Sequence, residues 1–352
     1  MKIIHCADLH LGSNLTSLPI KEIKDIRKNE LLNSYNRLIE YANNNNIDMI
    51  LFSGDVFDSD RPSKKDKQFF YSSIKSNPNI RFIYLKGNHD ISESLNEEYD
   101  NLYLFSDEWK KYEFDDIVIS GIELSNNNKS SLYASINLNP DKINIVMMHG
   151  DISSRGKEFI DLKKLANKNI DYLALGHIHQ SSINKIDDRG IAVYPGCLDG
   201  RGFDELDTKG FYVIDTNSIK NPTFIPFSSR IIREINIDIT NASSLYDAKE
   251  IVNNKLKEFN FKDIIKINLI GNVKFDIDGI NDDIYGFIKN NFFYVKVKNE
   301  LIRTIDYNDF KNDYSLKGEF IRNVLNNNEY DDKKKDEIIS IGLKILNGEE
   351  ML

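Results

Sequence analysis

Eight short apolar runs, separated by longer polar stretches, constrain this chain more than any other feature. They are "KIIHCADLH", "IDMILFSGD", "IRFIYLKGN", "IVISGIE", "INIVMMHGD", "IDYLALGHIH", "IAVYPG" and "GFYVID", and they occupy residues 1 to about 227. Runs of this length, bounded by Gly, Asp or Asn, read as buried strands, and the polar stretches between them read as helices. The expected class is therefore α/β with a layered architecture. In such sheets reactive groups collect beyond the carboxyl ends of the strands.

After "PFSSR" the texture changes. "IIREINIDI", "IIKINLIG" and "FYVKVKNEL" read as strands, with "SSLYDAKEIVNNKLKEF" and "DDIYGFIKNNF" as helices between them. This predicts a smaller α+β domain over residues 228–310, without a cluster of chemical residues. Residues 311–352 read as a C-terminal helical segment, "SLKGEFIRNVL" followed by "DDKKKDEIISIGLKILNG", whose charge run is expected to be a solvated linker. Ile338, Ile341, Ile345 and Leu346 fall near one helical face and are expected to pack on their own protein. A length of 352 residues suits one large domain and smaller additions.

Composition narrows the class. With 40% hydrophobic and 29% charged residues, no apolar run near the ~20 residues of a membrane span and no signal-like N-terminus, the expectation is a soluble cytoplasmic protein without membrane contact. The two cysteines, Cys6 and Cys197, follow no zinc or redox spacing and read as structural. A net charge of −9 argues against coating nucleic acid through a basic surface alone, so any polyanion contact must be local.

The chain has only six histidines, and five fall at the ends of strand-like runs. His177 and His179 in "LGHIH" are two apart, so they leave the end of "IDYLAL" side by side. Alone, the pair reads as a turn with two half-exposed histidines. The other runs add Asp8 and His10 in "ADLHLG", Asp55 in "SGDVFD", Asn88, His89 and Asp90 in "KGNHD", and His149 in "MMHGD". The remaining histidine, His5, is expected to be a packed side chain. Imidazole, carboxylate and one amide, with no thiolate, suit Mn, Fe, Co or Zn better than a structural zinc site. There are enough donors for two ions, with Asp55 the candidate bridge. Two divalent ions can grip a phosphoryl group and lower the pKa of a shared water from 15.7 toward about 7, which gives a hydroxide nucleophile at neutral pH.

As a set, "DLH", "GDVFD", "GNHD", "HGD" and "GHIH", in this order and spacing, resemble the calcineurin-like metallophosphoesterase superfamily. "ADLHLGS", "GDVFDSDRPS" and "YPGCLDGRGFDELDTKG" are similar to its DNA repair nuclease branch, the SbcD and YhaO-like proteins. The motifs cover about residues 1 to 215. The resemblance implies an α/β/β/α sandwich with an α+β capping domain. It also implies two divalent ions, most often Mn: one on Asp8, His10 and His179, the other on Asn88, His149 and His177, with Asp55 bridging. His89 would face the scissile phosphate as general acid or as a positive group, and Asp90 would either orient that imidazole or serve as a turn acid. Archaeal and eukaryotic relatives carry histidine three residues after the bridging Asp. This chain has Asp58, as the bacterial branch also lacks that histidine.

Three function classes remain at this stage. The first is a Mn-dependent DNA exonuclease or endonuclease that works in DNA repair with an SbcC-like coiled-coil ATPase docked on the C-terminal helices. Dimers are common in that branch, so a homodimer belongs to the expectation. Lys64, Lys65, Arg155, Lys157 and Arg201 would form a rim for the DNA backbone, though each by itself reads as a surface charge. The second is a phosphodiesterase for cyclic nucleotides or other small molecules, with the 228–310 domain shaping a pocket. The third is an assembly module with a vestigial metal site, against which stands the filling of every expected ligand position.

Overall fold

A computed structural model describes residues 1–90, 99–129, 131–153, 156, 158–304, 310 and 312–346. In chain order, β1 (Lys2–Cys6), α1 (Lys21–Asn44), β2 (Met49–Ser53), α2 (Lys64–Ser76), β3 (Arg81–Leu85) and β4 (Leu102–Leu104) form alternating β and α elements. Then follow β5 (Lys110–Phe114), β6 (Ile117–Gly121), α3 (Leu132–Ser135), β7 (Ile143–His149), α4 (Leu162–Leu165), β8 (Tyr172–Gly176), β9 (Ser182–Lys185) and β10 (Ile191–Tyr194). Strands β11 (Gly210–Asp215) and β12 (Thr223–Pro226) return to the first sheet. Its order is β12-β11-β1-β2-β3-β4, and that of the second sheet is β5-β6-β7-β8-β10-β9.

The two sheets pack face to face. Ile3, Met49, Leu51 and Ile83 of the first share a buried core with Ile145, Met147, Tyr172 and Val193 of the second. The other face of the first sheet is covered by α1 and α2, through side chains such as Tyr35, Leu38 and Phe70. The outer cover of the second sheet is thinner: two four-residue helices and loops bring Leu132, Leu138, Ile160 and Leu165 onto Val146, Leu173 and Leu175. The layered α/β/β/α class expected from the sequence is the class observed. All eight apolar runs became strands.

Parallel pairing decides where the strand ends meet. In the first sheet β1, β2 and β3 are parallel neighbours, with Cys6 opposite Phe52 and Ser53 opposite Leu85. In the second, β7 and β8 are parallel, with His149 opposite Gly176. Each set therefore delivers its following residues to one edge.

The remaining elements are β13 (Ile232–Asp238), α5 (Leu245–Leu256), β14 (Ile264–Val273), α6 (Ile280–Ile288), β15 (Tyr294–Arg303), α7 (Leu316–Leu325) and α8 (Asp332–Leu346). The chain divides into two compact units. One is Met1–Glu234 with Asn260–Lys266 and Phe292–Tyr294, and the other is Ile235–Phe259, Ile267–Asn291 and Val295–Leu352. In the second unit, α5 buries Ala248, Val252 and Leu256 and α6 buries Ile280, Ile284 and Ile288, each series four apart on one helical face. The charge run "DDKKKDE" is not a linker: α8 begins at Asp332 and runs through it. Nor does the apolar stripe pack as expected. Ile339 is the buried residue, while Ile341, Ile345 and Leu346 are exposed. Among the described residues no helix is long and apolar enough to cross a membrane.

Candidate metal centre

The strand ends converge because the chain has no side chain where they touch. A β-carbon on Gly54 would lie 2.1 Å from His149 Nδ1, and one on Gly176 would lie 1.9 Å from the Ser53 carbonyl oxygen. Each glycine lets a strand of one sheet abut the other. Four residues beyond the strands, Asp8, His10, Asp55 and His177, hold left-handed backbone with φ of 52°, 46°, 52° and 97°. Such conformations cost of order 1 kcal/mol or more each for non-glycine residues and persist where the surroundings over-determine them, as at functional sites.

The side chains meet in one cluster, with Asp8, His10, Asp55 and His149 buried and Asn88, His177 and His179 half-buried. Donor atoms of Asp8, His10 and His179 lie within 4.8 Å of one another, as do those of Asp8, Asp55 and His149 and those of His10, Asp55 and His89. His149 Nε2 is 3.4 Å from Asp55 Oδ2 and 3.1 Å from Asn88 Oδ1, which is 3.2 Å from His177 Nδ1. His10 Nε2 is 4.0 Å from Asp55 Oδ2. Asp8 accepts the His177 backbone N–H at 3.1 Å, and Asp55 Oδ1 accepts that of His89 at 2.9 Å. Seven of the expected residues, Asp8, His10, Asp55, Asn88, His149, His177 and His179, thus come together, with His89 beside them.

Three imidazoles have their Nδ1 edge occupied from outside the cluster. His149 Nδ1 donates to the Ser53 carbonyl at 2.9 Å, His179 Nδ1 lies 2.8 Å from Glu205 Oε1, and His10 Nδ1 lies 3.2 Å from Asp58 Oδ1 without the alignment of a full hydrogen bond. In the neutral form that binds a metal, with the one proton on Nδ1, each ring turns an Nε2 lone pair inward. The His10 and His179 Nε2 atoms then face each other at 3.2 Å. Two lone pairs at that distance repel, and a cation between them removes the conflict. Donors that share a first-row ion at about 2.1 Å lie roughly 3.0–3.4 Å apart, which is the spacing here.

The electrostatics agree. Burial pushes the Asp8 carboxyl up to about 6, reinforced by Asp55, and pushes His10 down to about 4. Against the burial that opposes charge, the Asp55 carboxylate lifts His149 to about 9, and Asp55 itself is held well below the usual carboxylate range by His149 and His10. A pair of acids with only 1% and 2% exposure demands compensating positive charge. The residues present fit divalent ions.

The sequence model of the Metallophos family, calcineurin-like phosphoesterase, matches residues 1–181, just over half of the 352. The chain belongs to this phosphoesterase family. Among its relatives is the DNA double-strand break repair protein Mre11 of Sulfolobus acidocaldarius, 24% identical over 97% of this chain and 94% of that protein. The SbcD component of the nuclease SbcCD from Staphylococcus epidermidis is 26% identical over 89% of this chain and 93% of its own length. The metallophosphoesterase YhaO of Bacillus subtilis is 26% identical over 70% of this chain and 65% of that protein. These relatives are those of the DNA repair nuclease branch that the motifs resemble.

Asp90 does not reach the His89 imidazole. Its buried carboxylate accepts from the backbone N–H groups of Val56, Phe57 and Gly87 at 3.1, 2.9 and 3.1 Å, so it ties the two loops together as a turn acid. His89 is oriented instead by the Asp58 carbonyl, 3.2 Å from its Nδ1. Arg201, expected on the rim, has its guanidinium committed to Glu205 at 2.5 and 2.9 Å and to Asp58 at 2.6 Å. Lys64 and Lys65 stand exposed on the first turn of α2, which Ser63 caps through the Asp66 N–H. Arg155 and Lys157 lie outside the described residues. His5 does more than pack, joining Tyr172 Oη at 2.9 Å to Ser53 Oγ at 3.1 Å across the two sheets. Both cysteines are buried and free, as expected of structural thiols.

Sequence reasoning missed Glu205, Asp58 in its bracing role, and Lys209, whose buried ammonium donates to the His179 carbonyl at 2.9 Å. The signal was present in "CLDGRGFDELDTKG", where one short stretch supplies Asp199, Arg201, Glu205 and Lys209. Asp199 anchors the stretch to α1 by accepting from Arg27 and Ser34, each at 2.8 Å.

Proposed function

We propose that this phosphoesterase is a Mn-dependent DNA nuclease that hydrolyses phosphodiester bonds in DNA repair. The observation that carries the metal reading is the pair of inward-facing Nε2 atoms on His10 and His179, within a cluster of four imidazoles, two carboxylates and one amide built from five strand ends. Asp8, His10 and His179 hold one ion, Asn88, His149 and His177 the other, and Asp55 lies between them. Bound divalent ions supply positive charge to the phosphoryl oxygens and an acidified water as nucleophile. With its Nδ1 on the Asp58 carbonyl, His89 presents Nε2 to the substrate, where it stabilises developing charge and passes a proton to the leaving oxygen.

DNA as substrate is supported by the names of the relatives aligned over nearly the whole chain. On this reading residues 1–227 form the nuclease domain, 228–310 a capping domain that contacts DNA, and 311–352 the docking segment for a coiled-coil ATPase. Exposed Tyr314, Leu316, Ile341 and Ile345 suit that docking. The small-molecule alternative has one observation in its favour. A cleft of about 410 Å³ beside Asn88 and His149, lined also by Lys86, Asp107, Glu123 and Glu158, lies within the size range of small-ligand pockets.

The deciding experiment is Mn-dependent cleavage of an end-labelled DNA duplex and the matching single strand, with bis-p-nitrophenyl phosphate and a cyclic nucleotide alongside. DNA degradation by wild type and its loss in His89→Ala support the nuclease. Cleavage of only the small diesters, even with the ATPase added, moves the assignment to the alternative.

A further inference from the structure

Five side chains around one edge of the metal centre form a closed circuit. From His10 Nε2 it runs 3.2 Å to His179 Nε2, and from His179 Nδ1 2.8 Å to Glu205 Oε1. That same oxygen accepts from Arg201 Nε at 2.9 Å and Nη2 at 2.5 Å, and Arg201 Nη1 reaches Asp58 Oδ1 at 2.6 Å. Asp58 Oδ1 closes the circuit at 3.2 Å from His10 Nδ1. The Arg201 backbone N–H also donates to Glu205 Oε2, at 2.6 Å. Glu205 is 1% exposed and Arg201 16%.

We propose that Asp58, Arg201 and Glu205 act as one positioning unit for the ion held by Asp8, His10 and His179, and that the ion on Asn88, His149 and His177 is bound independently of it. The proposal rests on the two-ion reading above. A carboxylate on the outer nitrogen of a ligating histidine fixes its tautomer and ring plane and raises the basicity of the inner nitrogen. Here both carboxylates are also tied to one guanidinium. Its planar fork sets their separation, which a lysine's point charge cannot do, and it offsets one of their two negative charges. The unit joins the loop after β2, which carries Asp58, to the stretch after β10, which carries Arg201 and Glu205.

Among the described residues the other half has no such unit. His149 is braced by the main-chain carbonyl of Ser53, and His177 meets Asn88 through Nδ1. Side-chain replacement at Asp58, Arg201 or Glu205 leaves both contacts in place. If the i, i+4 pair of Arg201 and Glu205 merely held its loop, changing it would shift melting temperature without selecting one ion.

The test is Mn²⁺ titration of the full chain by calorimetry, with electron paramagnetic resonance to separate coupled from single ions, for wild type, Glu205→Gln, Asp58→Asn, Arg201→Lys and Asn88→Ala. Wild type is expected to bind two ions. Each variant of the unit should lose about 10–100-fold in one binding step only, the coupled signal giving way to that of a single ion at limiting Mn. Asn88→Ala should weaken the other step, and the Glu205→Gln/Asn88→Ala double variant both. Melting curves of the apo forms check folding. If Asp58→Asn fails to fold, Glu205→Gln decides, because its amide keeps the shape and still accepts from Arg201. Wild-type affinity for both ions in the unit's variants, or equal weakening of both, overturns the proposal with the two-ion reading intact. A wild type that binds fewer than two ions overturns that reading itself.

Discussion

The two halves of the proposed metal centre are braced by different parts of the polypeptide. Around His10 and His179 the support is side chain on side chain: Asp58, Arg201 and Glu205. Around His149 it is backbone, the Ser53 carbonyl, brought within 2.9 Å because Gly54 and Gly176 leave room. Backbone support is inseparable from the fold, since any change that moves Ser53 moves β2 as well. Side-chain support can be altered one residue at a time while the sheets stay intact. The first half is thus the adjustable one and the second the rigid one.

The largest effect should come from the residue the halves share. Asp55→Ala is expected to abolish activity and remove at least one ion, because its carboxylate lies between His10 and His149; elemental analysis that finds both ions retained would break the shared role. Next is His89→Ala, which should keep both ions and slow turnover by about 10²–10⁴-fold. Turnover near wild type would remove His89 from the chemistry.

Gly176→Ala should sharpen the contrast between the halves. Its β-carbon meets the Ser53 oxygen at 1.9 Å and His149 Nδ1 at 2.8 Å, so both stability and the His149-side ion should suffer. Overpacking of this kind costs about 1–3 kcal/mol, read as a lower melting temperature. Glu205→Gln should weaken one ion with little change in melting. Equal melting of the two variants would erase the distinction drawn between backbone and side-chain bracing.

An effect on stability alone concerns His5, which bonds Ser53 Oγ beneath the rigid half. Burial lowers its pKa from 6.5 to about 3. The unfolded chain takes up this proton below pH 6.5 while the fold refuses it until near 3, so the contribution to stability is full above 6.5 and lost as pH falls toward 3. The slope is at most about 1.4 kcal/mol per pH unit. Denaturant titrations between about pH 7 and 5 should show that slope in wild type and a flatter one in His5→Gln. Identical slopes would show that His5 charges freely inside the fold.

Most of the first unit was legible in advance, and the gaps have a common cause. The four strands that the apolar runs did not announce, β4, β5, β9 and β12, are the edge strands of the two six-stranded sheets. None has a fully buried residue, so their compositions are mixed and no apolar run marks them. A similar limit explains the C-terminal stripe. Periodicity identified a helix with an apolar face, but Ile339 rather than Ile341 or Ile345 became its buried contact. At the centre, the seven proposed ligands carried a residue type and a strand-end position that could be read. For Asp90 the sequence left two roles open and for Arg201 it did not show the partners, because which atoms a carboxylate or guanidinium bonds depends on neighbours far away in the chain.

By itself, then, the sequence determined the layered α/β class, the strands that end in acids, amides and imidazoles, and the family of phosphoesterases to which those motifs belong. These are local properties: hydrophobic period, punctuation by glycine and aspartate, and chemical type at a strand's end. Only the tertiary structure decided which nitrogen of each histidine faces inward, that Asp90 serves the backbone, and that Asp58, Arg201 and Glu205 form one network. Arg201 and Asp58 are 143 residues apart. Contacts across such separations follow from parallel strand pairing and from the meeting of two sheets, and no window of sequence contains both partners.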